Sequence, residues 1–366
     1  MSGVLRVAPL LLRGRVRAGT GRIDLLSVLA FTVSSWLLLA VLGGVNAFAA
    51  REHTPPGRFV AALGDAAEYG VDQLPIWTLL AGCAGVLLVV PVVVLGAAAA
   101  RMGALGRDQR LATLRLLGAS HGEVTLLTAV ETMLAALAGS VLGTIGYLVT
   151  LPLWLAISFQ ATPLSAAEML LPAWAIAGIA GLLVVLAGLS SVSGLLRLRI
   201  SPLGVARRQT RPALKLWRLL LLPLVVVAWL VVAPLLNLQR ELVFGATVIL
   251  IGLGLFMGVI NLVGPWVLQL LGLILVRSRR ASVLLGGRRL LADPKGAWRS
   301  VSGLAFIGFT GGALVSLPDF RAASADPLIG ILADDLRTGT LLTLAIAFVV
   351  AATSTLLNQA SAVLDR

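Results

Sequence analysis

The chain has 366 residues, of which 58% are hydrophobic and 12% are charged, and its mean hydropathy is +1.00. A soluble domain carries about 25% charged residues, so this composition excludes an ordinary soluble globular protein. The net charge of +13 does not indicate nucleic-acid binding, because the arginines cluster at the ends of apolar runs, where basic residues orient membrane spans.

The apolar runs are continuous, whereas a membrane β-barrel would show alternating polarity in segments of about 10 residues. We therefore predict an all-α fold, a polytopic transmembrane helical bundle of about eight spans. The predicted spans are residues 23–47, 76–100, 124–157, 170–195, 216–236, 243–276, 301–318 and 339–357. The third and sixth exceed the roughly 20 residues that a bilayer requires, so we expect them to tilt, kink or project. Pro265 is a potential break in the sixth.

Basic residues predict the orientation of these spans. Arginines are concentrated before the first span and after the second, fourth and sixth, and the segments between are poorer in them. The N-terminus and these four segments are therefore predicted to be cytoplasmic. The outer segments 51–74 and 319–337 are short and acidic. Neither can hold a large domain, and we attribute their acidity to topology, with attraction of cations as the alternative.

A weak internal repeat suggests two related units. "RIDLLSVLAF" at 22–31 is similar to "RSVSGLAF" at 299–306, and "TLLAGCAGVLLVV" at 78–90 is similar to "TLLTLAIAFVV" at 340–350. We predict a first unit at 1–212, a central pair of spans at 213–280 and a partial second unit at 281–366, with a further amphipathic helix and two spans expected after it. Chance similarity between apolar helices is the alternative explanation.

The stretch "RLATLRLLGAS" at 110–120 lies between the second and third spans. As a helix, it places Leu111, Leu114 and Gly118 on one face. Arg110 and Arg115 flank that face. Apolar residues also lie on the opposite side, which suits a rod between the membrane and a second protein. An interfacial helix that only anchors a loop is the alternative.

Local signals around this stretch predict where the next helix begins. Gly118 is a natural helix end. Ser120, followed three residues later by Glu123, has the spacing of a capping box. We therefore predict a short cytoplasmic helix, a tight turn and then the third span.

The third span carries one acid and three glycines. Glu131 is predicted to lie about a third of the way across, where a charge costs about 2.5–3.5 kcal/mol on insertion scales, so it should face protein or water. It is either a functional polar contact or a structural hydrogen-bonding group. Gly139, Gly143 and Gly146 are predicted to allow close helix packing.

No constellation of an enzyme is present. A P-loop needs Gly-Lys-Ser/Thr, and the only lysines, Lys215 and Lys295, follow Leu214 and Pro294. His53 and His121 are predicted on opposite sides of the membrane, which argues against a histidine-based metal site. Five tryptophans near span ends are predicted to form an interfacial belt: Trp77, Trp154, Trp174, Trp217 and Trp298.

"RLATLRLLGAS" and the following "VETMLAALAGSVLGTIGYLV" resemble the FtsX/MacB-like permeases of ABC transporters, with support from "ISPLGVARR" at 200–208. The resemblance is good over about 76–211 and weaker over 281–366. It implies that the stretch near 107–120 is a coupling helix that docks on an ATPase. The implied coupling residues are Arg107, Arg110, Leu111, Leu114, Arg115, Leu117, Gly118 and Ala119.

The resemblance also implies partners and function. A separate ABC nucleotide-binding subunit, as a pair, would bind ATP and Mg, and this chain would bind no cofactor. The chain would be a multi-pass protein of the bacterial plasma membrane that exports or extracts a hydrophobic, lipid-like or peptide substrate. Arg110 stands where the family often has an acid. The outer segments are too short for the large outer domain that is common in ten-span members, so the substrates of those members are not assigned to this chain.

Two other functions stay open at this point. Some members of the family relay ATPase movement to an outer-surface enzyme, so the chain could be a signalling protein with an extracellular protein partner. An ion-driven carrier would need acids central in several spans, and Glu131 is the single one that we find.

Overall fold

A computed structural model describes residues 21–105, 120–198, 242–292, 294–298 and 326–364, with short stretches at 220, 223–224, 227–229, 301–302, 308 and 312. These residues form an all-α bundle with one short β-hairpin. The helices are α1 (Gly21–His53), α2 (Gly57–Leu63), α3 (Ala67–Asp72), α4 (Leu74–Leu105), α5 (His121–Thr150), α6 (Ala166–Met169), α7 (Ala173–Leu198), α8 (Leu242–Leu275), α9 (Ala281–Ala292) and α10 (Pro327–Leu364). The hairpin pairs β1 (Ser158–Phe159) with β2 (Thr162–Pro163), and 3₁₀ turns cover Gly64–Ala66 and Leu151–Ala156.

Six described helices are long and apolar enough to span a membrane. They are α1, α4, α5, α7, α8 and α10, with apolar spans at Leu25–His53, Leu74–Val93, Gly122–Ala156, Ala173–Val192, Gly245–Leu275 and Pro327–Leu357. The fold class predicted from the sequence is thereby confirmed. The predicted fifth and seventh spans, 216–236 and 301–318, lie largely outside the described residues.

Two details of the predicted spans were wrong. The sixth does not break at Pro265, because α8 is continuous over 34 residues through that proline. Membrane helices tolerate proline because neighbouring groups can compensate for the lost hydrogen bond. The predicted outer segment 319–337 does not extend as a loop to the last span. Helix α10 begins at Pro327, so Asp334 and Asp335 lie on the helix.

Helix α1 is the centre of the described bundle. More than half of its most apolar window is buried, 56%, against 11% for that of α8. It packs against α4, α5, α7 and α10 and carries the buried residues Ser27, Ser34 and Ser35. Small hydroxyl residues permit close approach of helix backbones in a membrane, which explains how α1 fits among so many neighbours.

The closest packing is between α1 and α5. A Cβ atom added at Gly139 would lie 2.5 Å from the Phe31 Cβ, and one at Gly143 would lie 2.6 Å from the Thr32 carbonyl oxygen. At Gly146 the nearest atom, on Trp36, is 3.7 Å away. Gly139 and Gly143 therefore leave the space that the α1 backbone occupies, whereas Gly146 is in ordinary contact.

The chain direction alternates so that several connections meet at one end of the bundle, which we call the hairpin end. α1 and α5 finish there and α4, α7 and α10 start there, as contacts among Arg51, Trp77, Phe159 and Asp335 show. α8 runs parallel to α4, because Gly82 faces Leu250 and Gly254 faces Val86. Orientation predicted from the arginines places the hairpin end outside.

The opposite end contains the beginning of α5 and the amphipathic helix α9. Ser120 and Glu123 form the predicted capping box: the Ser120 hydroxyl accepts from the Glu123 N–H at 3.3 Å, and the Ser120 N–H donates to Glu123 Oε2 at 2.9 Å. That prediction is confirmed. α9 folds back on α8, where Gly287 lies against Leu275.

Replacement of Gly143 by alanine should destabilise the bundle. The new methyl group would overlap with the α1 backbone, so we expect the free energy of unfolding to fall by about 1–3 kcal/mol. Thermal unfolding of the purified protein in detergent, followed by circular dichroism, measures this change.

Gly178→Ala is the matched control. A Cβ atom there meets no atom within 4 Å, and alanine is the better helix former by about 1 kcal/mol. Equal effects of the two substitutions would contradict the close contact between α1 and α5.

Candidate functional site

Arg51 is the main buried cation at the hairpin end. It lies in the last turn of α1 and is 1% exposed. Its Nη1 donates to the Phe159 carbonyl oxygen at 2.8 Å, and its Nη2 donates to the Pro163 carbonyl oxygen at 2.8 Å and to Glu168 Oε2 at 2.9 Å. A buried charge is tolerated only when it is paired and hydrogen-bonded. The three acceptors provide this for the two terminal nitrogens, whereas the buried Nε has no acceptor among the described residues.

The hairpin that surrounds Arg51 has a strained turn. Gln160 and Ala161 join β1 to β2, and their φ angles are +55° and +54°. A two-residue turn with both φ angles positive is normally occupied by Asn-Gly or Asp-Gly. Left-handed backbone costs other residues roughly 1–2 kcal/mol each. Contacts from other elements must therefore hold this turn in place, and Arg51 supplies them from one side.

Asp335 of α10 holds the turn from the other side. Its Oδ2 accepts from the Gln160 backbone N–H at 2.8 Å and from the Trp77 indole Nε1 at 2.7 Å. The Asp335 side chain is buried, and Gln160 is fully buried. One carboxylate oxygen thus joins the beginning of α4, the turn and α10.

Glu168 of α6 binds Arg51 and the segment that follows β2. Its Oε2 accepts from Arg51 and from the Ser165 N–H at 3.0 Å, and the Ser165 hydroxyl caps α6 by accepting from the Glu168 N–H. Burial by itself would raise the pKa of the Glu168 carboxyl. The hydrogen bonds from Arg51 and Ser165 outweigh it and lower the pKa below its ordinary value, so Glu168 is anionic at neutral pH.

Five of the side chains at the hairpin end form one group connected by hydrogen bonds, which we call the polar clasp. Its members are Arg51, Trp77, Gln160, Glu168 and Asp335. It joins α1, α4, the hairpin, α6 and α10. Asp335 lies in the predicted second unit and the other four lie in the predicted first unit, so the polar clasp connects the two.

An apolar cavity of about 290 Å³ lies beside the polar clasp. Its walls come from α1, α4 and α10, and Trp154, Phe159, Leu164 and Met169 contribute from the hairpin end. Trp77 and Asp335 belong to both the cavity wall and the polar clasp, and Phe159, whose carbonyl oxygen accepts from Arg51, also lines the cavity. Phe159 packs edge-on against Phe48, with ring centroids 5.2 Å apart, so the hairpin is fixed against the cavity wall.

The predicted site residues have different places relative to this region. The eight predicted coupling residues at 107–119 lie outside the described residues. Glu131 is half-buried, ten residues into α5, and lies nearer the opposite end. Gly139 and Gly143 face α1. The described residues that flank the predicted coupling segment, Leu105 and Ser120, are separated from the polar clasp by most of the length of α4 and α5.

Other predictions concern metals and tryptophans. His53 ends α1 and His121 begins α5, so the two lie at opposite ends of the bundle. Trp77 was wrongly assigned to an interfacial belt, because it is 3% exposed and bonded to Asp335. Trp174 is exposed on α7, and Trp298 donates to Asn261 at 2.9 Å. Trp217 lies outside the described residues.

Sequence reasoning missed the polar clasp. Arg51 and Asp335 were counted as charges of outer segments, and the hairpin carries no glycine or asparagine at its turn. One signal was available: "ILADDLRTG" continues the apolar spacing of α10 toward its start. An acid inside a membrane helix is expected to face a partner, and Asp335 does.

Comparison with known proteins identifies part of the chain as similar to a family of membrane proteins. Residues 82–203 match the family model described as FtsX-like permease C-terminal, which covers most of α4 and all of α5 and α7. No curated protein and no solved structure matches the chain. The match confirms the predicted resemblance. It indicates a membrane subunit of ABC-transporter type, from a family that is generally non-catalytic and normally works with an ABC ATPase.

Removal of the buried guanidinium should unfold the hairpin end. Arg51→Met would remove the donor of two hairpin carbonyl oxygens and the ionic partner of Glu168, which keeps its hydrogen bond from Ser165. Because the Glu168 side chain is 27% exposed, the main cost is that of the unsatisfied acceptors, about 1–3 kcal/mol. We expect a corresponding fall in the thermal unfolding midpoint in detergent. Arg58→Met, at an exposed arginine on α2, is the matched control and should have little effect. Similar losses for both variants would refute the clasp as a stabilising group.

The Glu168 pKa predicts how acid affects stability. Because folding lowers this pKa, the stabilising contribution is complete above the ordinary value of about 4.5 and is lost as pH falls through the lower folded value. We expect the unfolding midpoint to drop as the pH falls below about 4.5. Glu168→Gln should weaken this acid dependence, and an unchanged slope in that variant would show that other groups cause it.

Proposed function

We propose that this chain is the membrane subunit of an ABC transporter that transmits movement of a separate ATPase to the polar clasp and the apolar cavity, and thereby exports or extracts a hydrophobic, lipid-like or peptide substrate. The observation that carries the proposal is the FtsX-like match at 82–203. The matched region begins in α4, contains the predicted coupling segment and ends just after α7.

Two long helices connect the two ends. α4 has 32 residues and α5 has 30 residues, which corresponds to about 45 Å or more at 1.5 Å per residue. The predicted coupling segment lies between the end of α4 and the beginning of α5, and Trp77 lies one turn from the other end of α4. A push on that segment would therefore act through α4 and α5 on the hairpin end.

In this proposal, the movement driven by the ATPase displaces the two predicted units relative to each other. Asp335 on α10 bonds to Trp77 and Gln160 of the first unit, and the cavity lies between α1, α4 and α10. A relative displacement of the units would stretch these two hydrogen bonds and change the width of the cavity. This mechanism needs no catalytic group on the chain, since ATP and Mg would bind the partner.

A signal relay is the second candidate. The segment of α2, the 3₁₀ turn and α3 has an acidic, exposed surface that includes Asp65, Glu68 and Asp72. Such a surface is suited to docking a basic extracellular protein. ATPase activity of the complex in liposomes distinguishes the two: stimulation by a lipid-like or peptide substrate favours transport, and stimulation only by a protein partner favours signalling.

The first test is co-purification of an ATPase subunit with the full-length protein from its native membrane. Leu114→Asp combined with Arg115→Glu should abolish co-purification, because it replaces an apolar and a cationic contact by two acids in the predicted coupling segment. Mass spectrometry of the purified complex identifies the subunit.

Leu285→Asp combined with Arg288→Glu is the matched control. Both residues are exposed on α9, an amphipathic helix at the same end of the bundle as the beginning of α5, and this variant should retain the ATPase. Absence of any ATPase from the unmodified protein would refute the proposed function.

A further inference from the structure

We propose that the apolar cavity binds one acyl chain of a neutral, carbonyl-bearing amphiphile, with the Trp154 indole N–H donating a hydrogen bond to the ligand's ester or amide carbonyl oxygen. The proposal deepens the proposed function and rests on it for the role of the ligand as substrate. The binding site itself follows from the cavity wall.

Three glycines lie in the wall of the cavity, and one of them faces open space. Gly44 and Gly85 line it on α1 and α4, and Gly339 lines it on α10. A Cβ atom placed on Gly44 would meet no atom within 4 Å, so this glycine leaves open space instead of allowing a close helix contact. Gly139 and Gly143, which do not line the cavity, behave in the opposite way. Gly139 and Gly143 therefore serve close helix packing, whereas Gly44 contributes to the open space of the cavity.

The size and chemistry of the wall fit a hydrocarbon chain. The cavity of about 290 Å³ is larger than an apolar cavity of about 150 Å³ that binds benzene in another protein. A chain segment of on the order of ten carbons would therefore fit. The wall is formed mainly by Ala, Val, Leu, Ile, Phe and Trp side chains, and an unfilled apolar cavity forfeits the dispersion contacts of its lining.

Most polar groups in the wall already have partners. The Trp77 N–H is bonded to Asp335, and the Thr340 and Thr343 hydroxyls donate to the Leu336 and Gly339 carbonyl oxygens of their own helix at 2.7 Å and 2.8 Å. These threonines therefore add to the apolar surface of the cavity. They do not supply a free donor for a ligand.

Trp154 is different. It lines the cavity, and its indole N–H is buried and has no acceptor within the described part of the chain. A buried N–H without an acceptor costs free energy, and a ligand carbonyl oxygen would satisfy it. Trp154 lies in the 3₁₀ turn at the hairpin end, so the polar part of the ligand would lie there and the chain would extend between α1, α4 and α10.

Charge at this end selects the head group. Asp335 is part of the wall, and its carboxylate already accepts two hydrogen bonds. A fatty-acid carboxylate in the same cavity would be repelled by it, since like charges are unfavourable in a low-dielectric site. An ester or amide carbonyl offers the acceptor that Trp154 lacks without adding a negative charge.

The test is photo-crosslinking of the purified full-length protein in detergent, without any ATPase. The probe is a monoacylglycerol whose palmitoyl chain carries a diazirine at mid-chain, and the corresponding free acid is the comparison probe. Mass spectrometry locates the crosslinks. We expect them on cavity-lining segments of α1, α4 and α10, near Cys83 and Leu342 among others, with about tenfold weaker labelling by the acid.

Two variants test the contacts. Gly44→Leu should fill the cavity and reduce labelling about tenfold or more, whereas Gly178→Leu on the exposed face of α7, where a Cβ atom also meets nothing within 4 Å, should leave it unchanged. Trp154→Phe keeps an aromatic ring but removes the N–H donor. It should raise the probe concentration that gives half-maximal labelling about threefold to tenfold. Thermal unfolding of each variant confirms that it is folded.

Labelling that is spread over the outer surface of the bundle, or that is equal in Gly44→Leu and the unmodified protein, would overturn the site. Equal labelling by the acid and the ester would overturn the neutral head group. Either failure is independent of the ATPase co-purification, so the assignment as an ABC membrane subunit would stand or fall on its own test.

Discussion

The hairpin end depends on one buried guanidinium. Arg51 is almost completely enclosed at the end of α1, the most buried span among the described helices. Its charge is stable there because two hairpin carbonyls and Glu168 surround it. The hairpin in turn keeps a turn with two positive φ angles on non-glycine residues because Arg51 and Asp335 hold it from both sides. Cation and hairpin are therefore mutually dependent.

This dependence has a mechanical consequence. The polar clasp concentrates ionic and strongly oriented hydrogen bonds at the place where α1, α4 and α10 surround an apolar cavity. Charge-assisted hydrogen bonds are short-range and directional, so they break over a small displacement, whereas apolar contacts between helices slide. A movement between the predicted units would therefore break the Asp335 hydrogen bonds to Trp77 and Gln160 first. In the proposed mechanism, this makes the polar clasp the point at which access to the cavity changes.

Glycine serves two different purposes in the same bundle. At Gly139 and Gly143 the missing side chain brings the α5 backbone against α1, while at Gly44 it leaves a space that nothing among the described residues fills. The sequence pattern Gly-x-x-x-Gly predicts the first case, since close packing requires small residues one turn apart. No comparable pattern identifies Gly44, because whether a position faces a neighbour or a void depends on where other helices lie.

The sequence by itself determined the all-α membrane bundle, most span positions, the capping box at Ser120 and the resemblance that the match at 82–203 confirms. These properties follow from hydropathy and from contacts between residues close in the chain. Only the tertiary structure decided that α8 continues through Pro265, that Trp77 is buried, and that Asp335 meets Gln160, 175 positions away. Long-range partners leave no local periodicity, and a charge at a span end looks the same whether it faces water or a buried partner.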